Sequence, residues 1–316
     1  MSNTSSTPSG ILYDVEYLIK YPDLVLAIFG LVTNMIHIFF LSRKFQSFIF
    51  LTFIAGADLL QCITVGAIQI RAVLVYVYYR NCIGYINYVD SIYKFVNLGL
   101  YGLSMLLGPW ITVVMILCPV GSTMKYAKRT LMACSIYSTL FFVTMTLLFL
   151  HIPYAPCSVE NLAQKYLEQE DVTWITVVAT TIFFMEGILK LVVFGCYLIL
   201  LCWLTYKILV KEKNQEKVKI FKLNLYLLLS FCVPDILSLI LFQWLMRNDT
   251  ETASQYSLTL PAELDRLLRT IFACIRPFLI LWKCEEYQDT VKAFFVVFDG
   301  DVQVSKGTPA VQAWES

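Results

Sequence analysis

Long apolar runs alternate with short polar joints along most of this chain. Seven runs reach the length a bilayer demands, about 20 residues for a hydrocarbon core about 30 Å thick. They lie near residues 24–41, 48–70, 95–118, 131–150, 172–210, 220–246 and 264–282. The fifth pattern is longer than the hydrocarbon needs at about 1.5 Å per residue, so the helix is expected to project beyond it. Together these runs predict an all-α membrane protein built as a seven-helix bundle. After the last run, Tyr287, Val291, Phe294, Phe295 and Phe298 fall near one helical face. This predicts a short amphipathic helix lying on the membrane surface.

Composition agrees with this reading. Of the 316 residues, 58% are hydrophobic and 15% charged, against about 25% charged in a soluble domain. Seven spans with short joints occupy nearly the whole chain. Three segments result: an extracellular tail over 1–20, a bundle with its juxtamembrane helix over 21–298, and a cytosolic tail over 299–316. The polar N-terminus lacks a charged n-region followed by an apolar core and is not read as a signal peptide. A net charge of +1 supplies no basic domain for nucleic acid.

The charge pattern orients the bundle. Arg43 and Lys44 follow the first span, and Lys125, Lys128 and Arg129 precede the fourth. Lys207, Lys211, Lys213, Lys217, Lys219 and Lys222 surround the join of the fifth and sixth. All lie on one side, and basic short loops mark the cytosol. The opposite joints carry Glu160, Glu168, Glu170, Asp171, Asp249, Glu251, Glu263 and Asp265. An outside N-terminus and a cytosolic C-terminus follow. The sequons at Asn3 and Asn248 then lie outside, where glycosylation is available to them.

Ionisable residues inside spans are expensive and tend to face the bundle interior. Asp58 sits mid-span in LTFIAGADLLQC with no basic neighbour on its own helix, so another helix or water must supply its partner. Asn34 in the first span is a candidate neighbour. Arg276 in the last span needs a carboxylate, and Asp58 and Asp235 both qualify. Asn34, Asp58, Asp235 and Arg276 thus form a candidate polar core, read either as a switch or as static interhelical bonding. Pro234 and Pro277 lie within spans, where proline removes a helical hydrogen bond and favours a kink. Glu186 and Lys190 are four apart and share a helix face. They form either a self-compensating pair or the lining of a ligand cavity. His37 reads as a buried packing or hydrogen-bonding residue.

Ten cysteines are present. Cys82 and Cys157 alone fall in outer joints, where oxidising conditions permit a disulfide between them. Cys284, beside the inner surface, is either a palmitoylation site or a plain thiol. There is no HExxH, CxxC, P-loop or GxGxxG, and the two histidines are far apart. Neither an enzyme, nor a metal site, nor a cofactor is expected. A receptor is favoured; a transporter or channel subunit with a polar path through the bundle is the alternative.

The segments FGLVTNMIHIFFLSRK, LTFIAGADLLQC, GPWITVVMIL, LLLSFCVPD and EEYQDTVKAFF occur in an order and spacing that carry a resemblance. The chain resembles the rhodopsin-like seven-helix receptors, and among them the nematode serpentine chemoreceptors of the Srw branch, themselves similar to FMRFamide-type peptide receptors. The resemblance spans about residues 18–295. It implies a plasma-membrane receptor for an extracellular peptide or small chemosensory ligand, with a heterotrimeric G protein as partner. Two departures stand out. Pro119 occupies the place of the family's arginine at the cytosolic end of the third helix. Arg276-Pro277-Phe278-Leu279-Ile280 stands where the family has Asn-Pro-x-x-Tyr. The resemblance therefore implies altered coupling.

Overall fold

The computed structural model describes residues 8–45, 48–78, 88–117, 173–211, 215–248 and 259–303, with isolated positions between 128 and 143. The described residues are helical almost throughout. In chain order the helices are α1 (Pro8–Ser42), α2 (Ile49–Tyr78), α3 (Tyr88–Leu117), α4 (Thr173–Tyr206), α5 (Gln215–Asn248), α6 (Thr259–Lys283) and α7 (Glu285–Gln303). A π-helical turn, Lys207–Lys211, extends α4, as the long fifth pattern predicts. The isolated helical positions carry Met132, Ile136, Leu140 and Val143, all exposed. Their spacing makes one apolar stripe on the fourth span.

The bundle is ordered by an inside-out pattern that α1 shows best. Asp23, Ala27, Asn34, His37 and Leu41 are buried, and Val25, Ile28, Phe29, Val32, Met35, Ile36 and Phe39 are exposed. Both sets repeat at helical spacing. Polar side chains face the protein interior and large apolar ones face outward, as a hydrocarbon surround requires. Five described stretches are long and apolar enough to cross a membrane: Leu18–Ser42, Ile49–Val75, Ile92–Leu117, Leu191–Val210 and Lys217–Ile240.

Two ends of the expected boundaries differ. α1 begins at Pro8, inside the stretch assigned to the tail. Proline suits a first helical position, where its missing N–H has no partner to lose. α7 likewise runs to Gln303, past the boundary placed at residue 298.

A larger correction concerns α6. It starts at Thr259, so Glu263 and Asp265 are not loop residues. Both turn inward and pair with arginines of the same helix, Glu263 with Arg266 at 2.8 Å and Asp265 with Arg269 at 2.8 Å. Spacings of three and four residues put these partners on one face. α6 packs against α1, α2 and α5, which shield its charges from lipid.

Two apolar clusters build the core. One joins α2, α3, α4 and α5 through Ile54, Ile111, Tyr197, Leu204, Leu228 and Phe231. The other joins the ends of α1 and α2 to α6 and α7 through Phe40, Leu41, Phe48, Ile280 and Tyr287. Phe294 of α7 meets Phe39 and Phe40 edge-on, with centroids 5.7 and 5.2 Å apart. The amphipathic helix is thereby held against the same end of the bundle that carries Arg43 and Lys219. This is the basic end of the bundle.

Candidate functional site

The centre of the bundle holds a buried ion pair. Arg276 of α6 donates from Nη2 to Asp58 Oδ1 at 2.6 Å and from Nε to Oδ2 at 2.8 Å. The two side chains are each 3% exposed. A planar guanidinium meets both carboxylate oxygens in this fork, a geometry lysine cannot reproduce. Of the two carboxylates that qualified from the sequence, Asp58 is the one Arg276 takes.

Arg276 has a further role that follows from helix geometry. Proline at position i leaves the carbonyl at i−4 without its donor. Pro234 lies inside α5, so the carbonyl of Ser230 is freed. Arg276 Nη1 donates to that carbonyl at 3.2 Å. The same logic applies to Pro277 inside α6, which frees the carbonyl of Ala273. Asn34 Nδ2 donates there at 3.2 Å, and to Gly30 of its own helix at 2.8 Å. Both prolines are therefore capped by interior polar side chains from other helices. Asn34 serves a backbone carbonyl, not the Asp58 carboxylate, and its Oδ1 is buried without a hydrogen-bond partner.

The cation also rests on an aromatic face. Arg276 Cζ lies 3.9 Å from the Phe231 ring centroid, within cation–π range. Phe231 in turn presses on α3: a Cβ at Gly108 would come within 2.9 Å of two ring atoms. One guanidinium thus links α2, α5 and α6 directly, and α3 through Phe231.

Asp235 belongs elsewhere. Its partner is Arg269, at 2.6 Å, about 10 Å from Arg276 along α6 at 1.5 Å per residue. Arg269 also donates to Asp265 at 2.8 Å, and Ser238 donates to Asp265 at 2.5 Å. Beside this cluster, Gln69 donates to Asp23 at 2.8 Å and to Glu263 at 3.0 Å. Arg71 of α2 grips Asp90 of α3 at 2.5 and 2.6 Å. These groups occupy the end opposite the basic one. Asp23 Oδ1, Gln69 Oε1, Tyr101 OH, Tyr197 OH and Arg266 Nε are buried there or nearby without hydrogen-bond partners. The reading from sequence passed over Arg266 and Arg269. The signal was present, since Arg266, Arg269 and Arg276 share one helical face.

At the basic end, His37 Nδ1 and the Tyr287 hydroxyl are 2.7 Å apart. Burial pushes the Tyr287 phenol up to about 12, so the hydroxyl beside His37 keeps its proton beyond the usual phenol range. Burial also raises the Cys284 thiol, which lowers its thiolate fraction for acylation. Lys219 of α5 reaches Glu285 of α7 at 2.7 Å on the surface.

Several expected site residues are not placed. Cys82, Cys157, Asn3 and Pro119 lie outside the described residues. Glu186 and Lys190 fall within α4, and Asn248 closes α5, but their side chains are outside the described ones.

No protein-family model and no curated protein matches this chain. Among solved structures the chain is similar to squid rhodopsin, with a TM-score of 0.53 at 12% identity, over 95% of this chain and 93% of that one. At that identity the likeness is one of fold. The chain is an all-α, rhodopsin-like seven-helix membrane bundle with a short amphipathic helix after its last span.

Proposed function

We propose that this protein is a plasma-membrane receptor of the rhodopsin-like class, with its N-terminus outside. It senses a peptide or small chemosensory ligand and signals to a heterotrimeric G protein. The observation that carries the reading is Arg276, which holds Asp58 and the Pro234-freed carbonyl at once. Asp58 sits on α2 and Ser230 on α5, so any displacement of α5 must break or exchange one of these bonds. Such a centre has discrete arrangements, the property a two-state receptor needs. The resemblance to nematode serpentine chemoreceptors belongs to the same proposal.

The ligand is proposed to engage the end opposite the basic one. Asp23 Oδ1 and Gln69 Oε1 are buried and make no hydrogen bond of normal length, although Thr270 and Arg266 lie beside the Asp23 carboxyl. Spare acceptors of this kind favour an amine, a guanidinium or an amidated peptide terminus. Glu263 and Asp265 add little net negative charge at that end, because they are matched by Arg266 and Arg269. Pro119 is proposed to weaken coupling, since it cannot offer the planar donors of an arginine.

Nucleotide exchange on G proteins, in membranes containing the chain and challenged with amidated peptides and amines, tests the proposal. Ligand-driven exchange that Asp23→Asn weakens is the expected result. Ion flux or current in cells expressing this chain alone, with no exchange, would replace the receptor by a transporter or channel. Tags at both ends test the topology; a C-terminal tag stained in intact cells overturns it.

A further inference from the structure

Two thiols meet between the helices that carry the central ion pair. Cys62 lies one turn beyond Asp58 on α2, and Cys274 lies two residues before Arg276 on α6. Both are reduced and buried, at 1% and 4% exposure. A Cβ built on Gly30 of α1 would lie 2.6 Å from the Cys62 sulfur and 2.8 Å from the Cys274 sulfur. The sulfurs therefore share one small space, which exists because residue 30 has no side chain. The Cys274 thiol donates to the Leu26 carbonyl of α1 at 3.2 Å, which holds its sulfur at this face of Gly30.

We propose that Cys62 and Cys274 are a redox lock: oxidation to a disulfide ties α2 to α6 beside the Asp58–Arg276 pair and fixes that pair in the arrangement seen here. The oxidant class is a small, uncharged peroxide able to reach a buried site. In the first step the peroxide O–O bond breaks; one oxygen joins a sulfur as sulfenic acid and the other leaves as water. In the second, the remaining sulfur attacks the sulfenyl sulfur. An S–S bond forms, the S–O bond breaks, and the departing oxygen takes the second thiol's proton to leave as water. Two thiols are oxidised and one peroxide is reduced to two waters. The lock does not depend on what the protein senses or signals to.

The test uses the full chain in lipid nanodiscs exposed to hydrogen peroxide. Free thiols are then blocked and the protein is digested without reductant. The expected result is a cross-linked peptide pair containing Cys62 and Cys274, with an upward shift of the thermal transition. Cys62→Ala and Cys274→Ala should each abolish both effects of peroxide. Alanine keeps a small apolar group in the packed site, and an unchanged transition before peroxide shows that each variant folds. Gly30→Ala leaves both cysteines in place and wedges between them, so cross-link yield should fall several-fold. The proposal is overturned if both thiols stay free under peroxide, if either pairs with another cysteine instead, or if the disulfide forms without moving the transition. Wild-type yield in Gly30→Ala would overturn the packing on which the lock rests.

Discussion

The centre of the bundle and its far end solve one problem in opposite ways. At the centre, Arg276 has one carboxylate, Asp58, and both side chains are 3% exposed. At the far end, Arg269 is shared by Asp235 and Asp265, with 16% to 24% exposure across the three. Gln69 likewise bridges Asp23 and Glu263. The centre is a single pair with no spare partner. The far end is redundant and partly open. A lost partner should therefore be costly at the centre and tolerable at the far end. In the receptor proposed above, the centre would be the switch, held by one bond set, and the far end the receiving surface.

The largest expected effect comes from breaking the central pair on one side only. Asp58→Leu leaves a guanidinium buried without its counter-charge. Removing one member of a buried pair costs about 3–5 kcal/mol, whereas replacing both by apolar groups is often near neutral. Asp58→Leu should thus lower surface expression sharply, and Asp58→Leu with Arg276→Leu should recover much of it. Cell-surface counts of a tagged chain decide the point. Equal loss in single and double variants would mean that capping the Ser230 carbonyl matters more than the charge pair.

A smaller effect is expected from Gly108→Ala. The added methyl would meet the Phe231 ring at 2.9 Å, and overpacking a well-filled site typically costs about 1–3 kcal/mol. Because Phe231 supports the Arg276 cation, the variant should perturb the centre without touching a charged group. A lowered thermal transition in detergent, relieved by Phe231→Leu in the same chain, would show that the contact transmits. No change in the transition would detach α3 from the centre.

How far the sequence reached can be judged at particular residues. Five spans were legible because their apolar runs reach bilayer length among the described residues; α6 is not among them, since Glu263, Asp265, Arg266, Arg269 and Arg276 interrupt its apolar run. Asp58 and Arg276 were legible as costly residues in need of partners, though the choice between Asp58 and Asp235 required the packing of α5 and α6. The inward face of α7 was legible from its helical spacing, and Tyr287 and Phe294 do pack against the bundle. The far-end network was hidden because Glu263 and Asp265 look like loop residues when charge alone is read. Their spacing to Arg266 and Arg269 would have placed them on a helix. The capping of two proline-freed carbonyls was partly legible. Pro234 and Pro277 identify Ser230 and Ala273 as open acceptors by counting back four residues. Which side chain fills each one is a matter of tertiary packing.

The smallest effect should come from Asp235→Asn, and it sharpens the comparison most directly. Arg269 would keep Asp265, which it holds at 2.8 Å, and the amide oxygen of the new residue can still accept from the guanidinium. No buried charge is orphaned. Substitutions that leave no such defect usually fall within a few tenths to about 1 kcal/mol. Surface expression and the thermal transition should therefore stay near wild type, in contrast to Asp58→Leu. Asp235→Asn with Asp265→Asn strips Arg269 of both carboxylates and should reproduce much of the loss seen at the centre. A single Asp235→Asn that fails as badly as Asp58→Leu would show that the far end has no reserve, and the distinction between the two regions would fall.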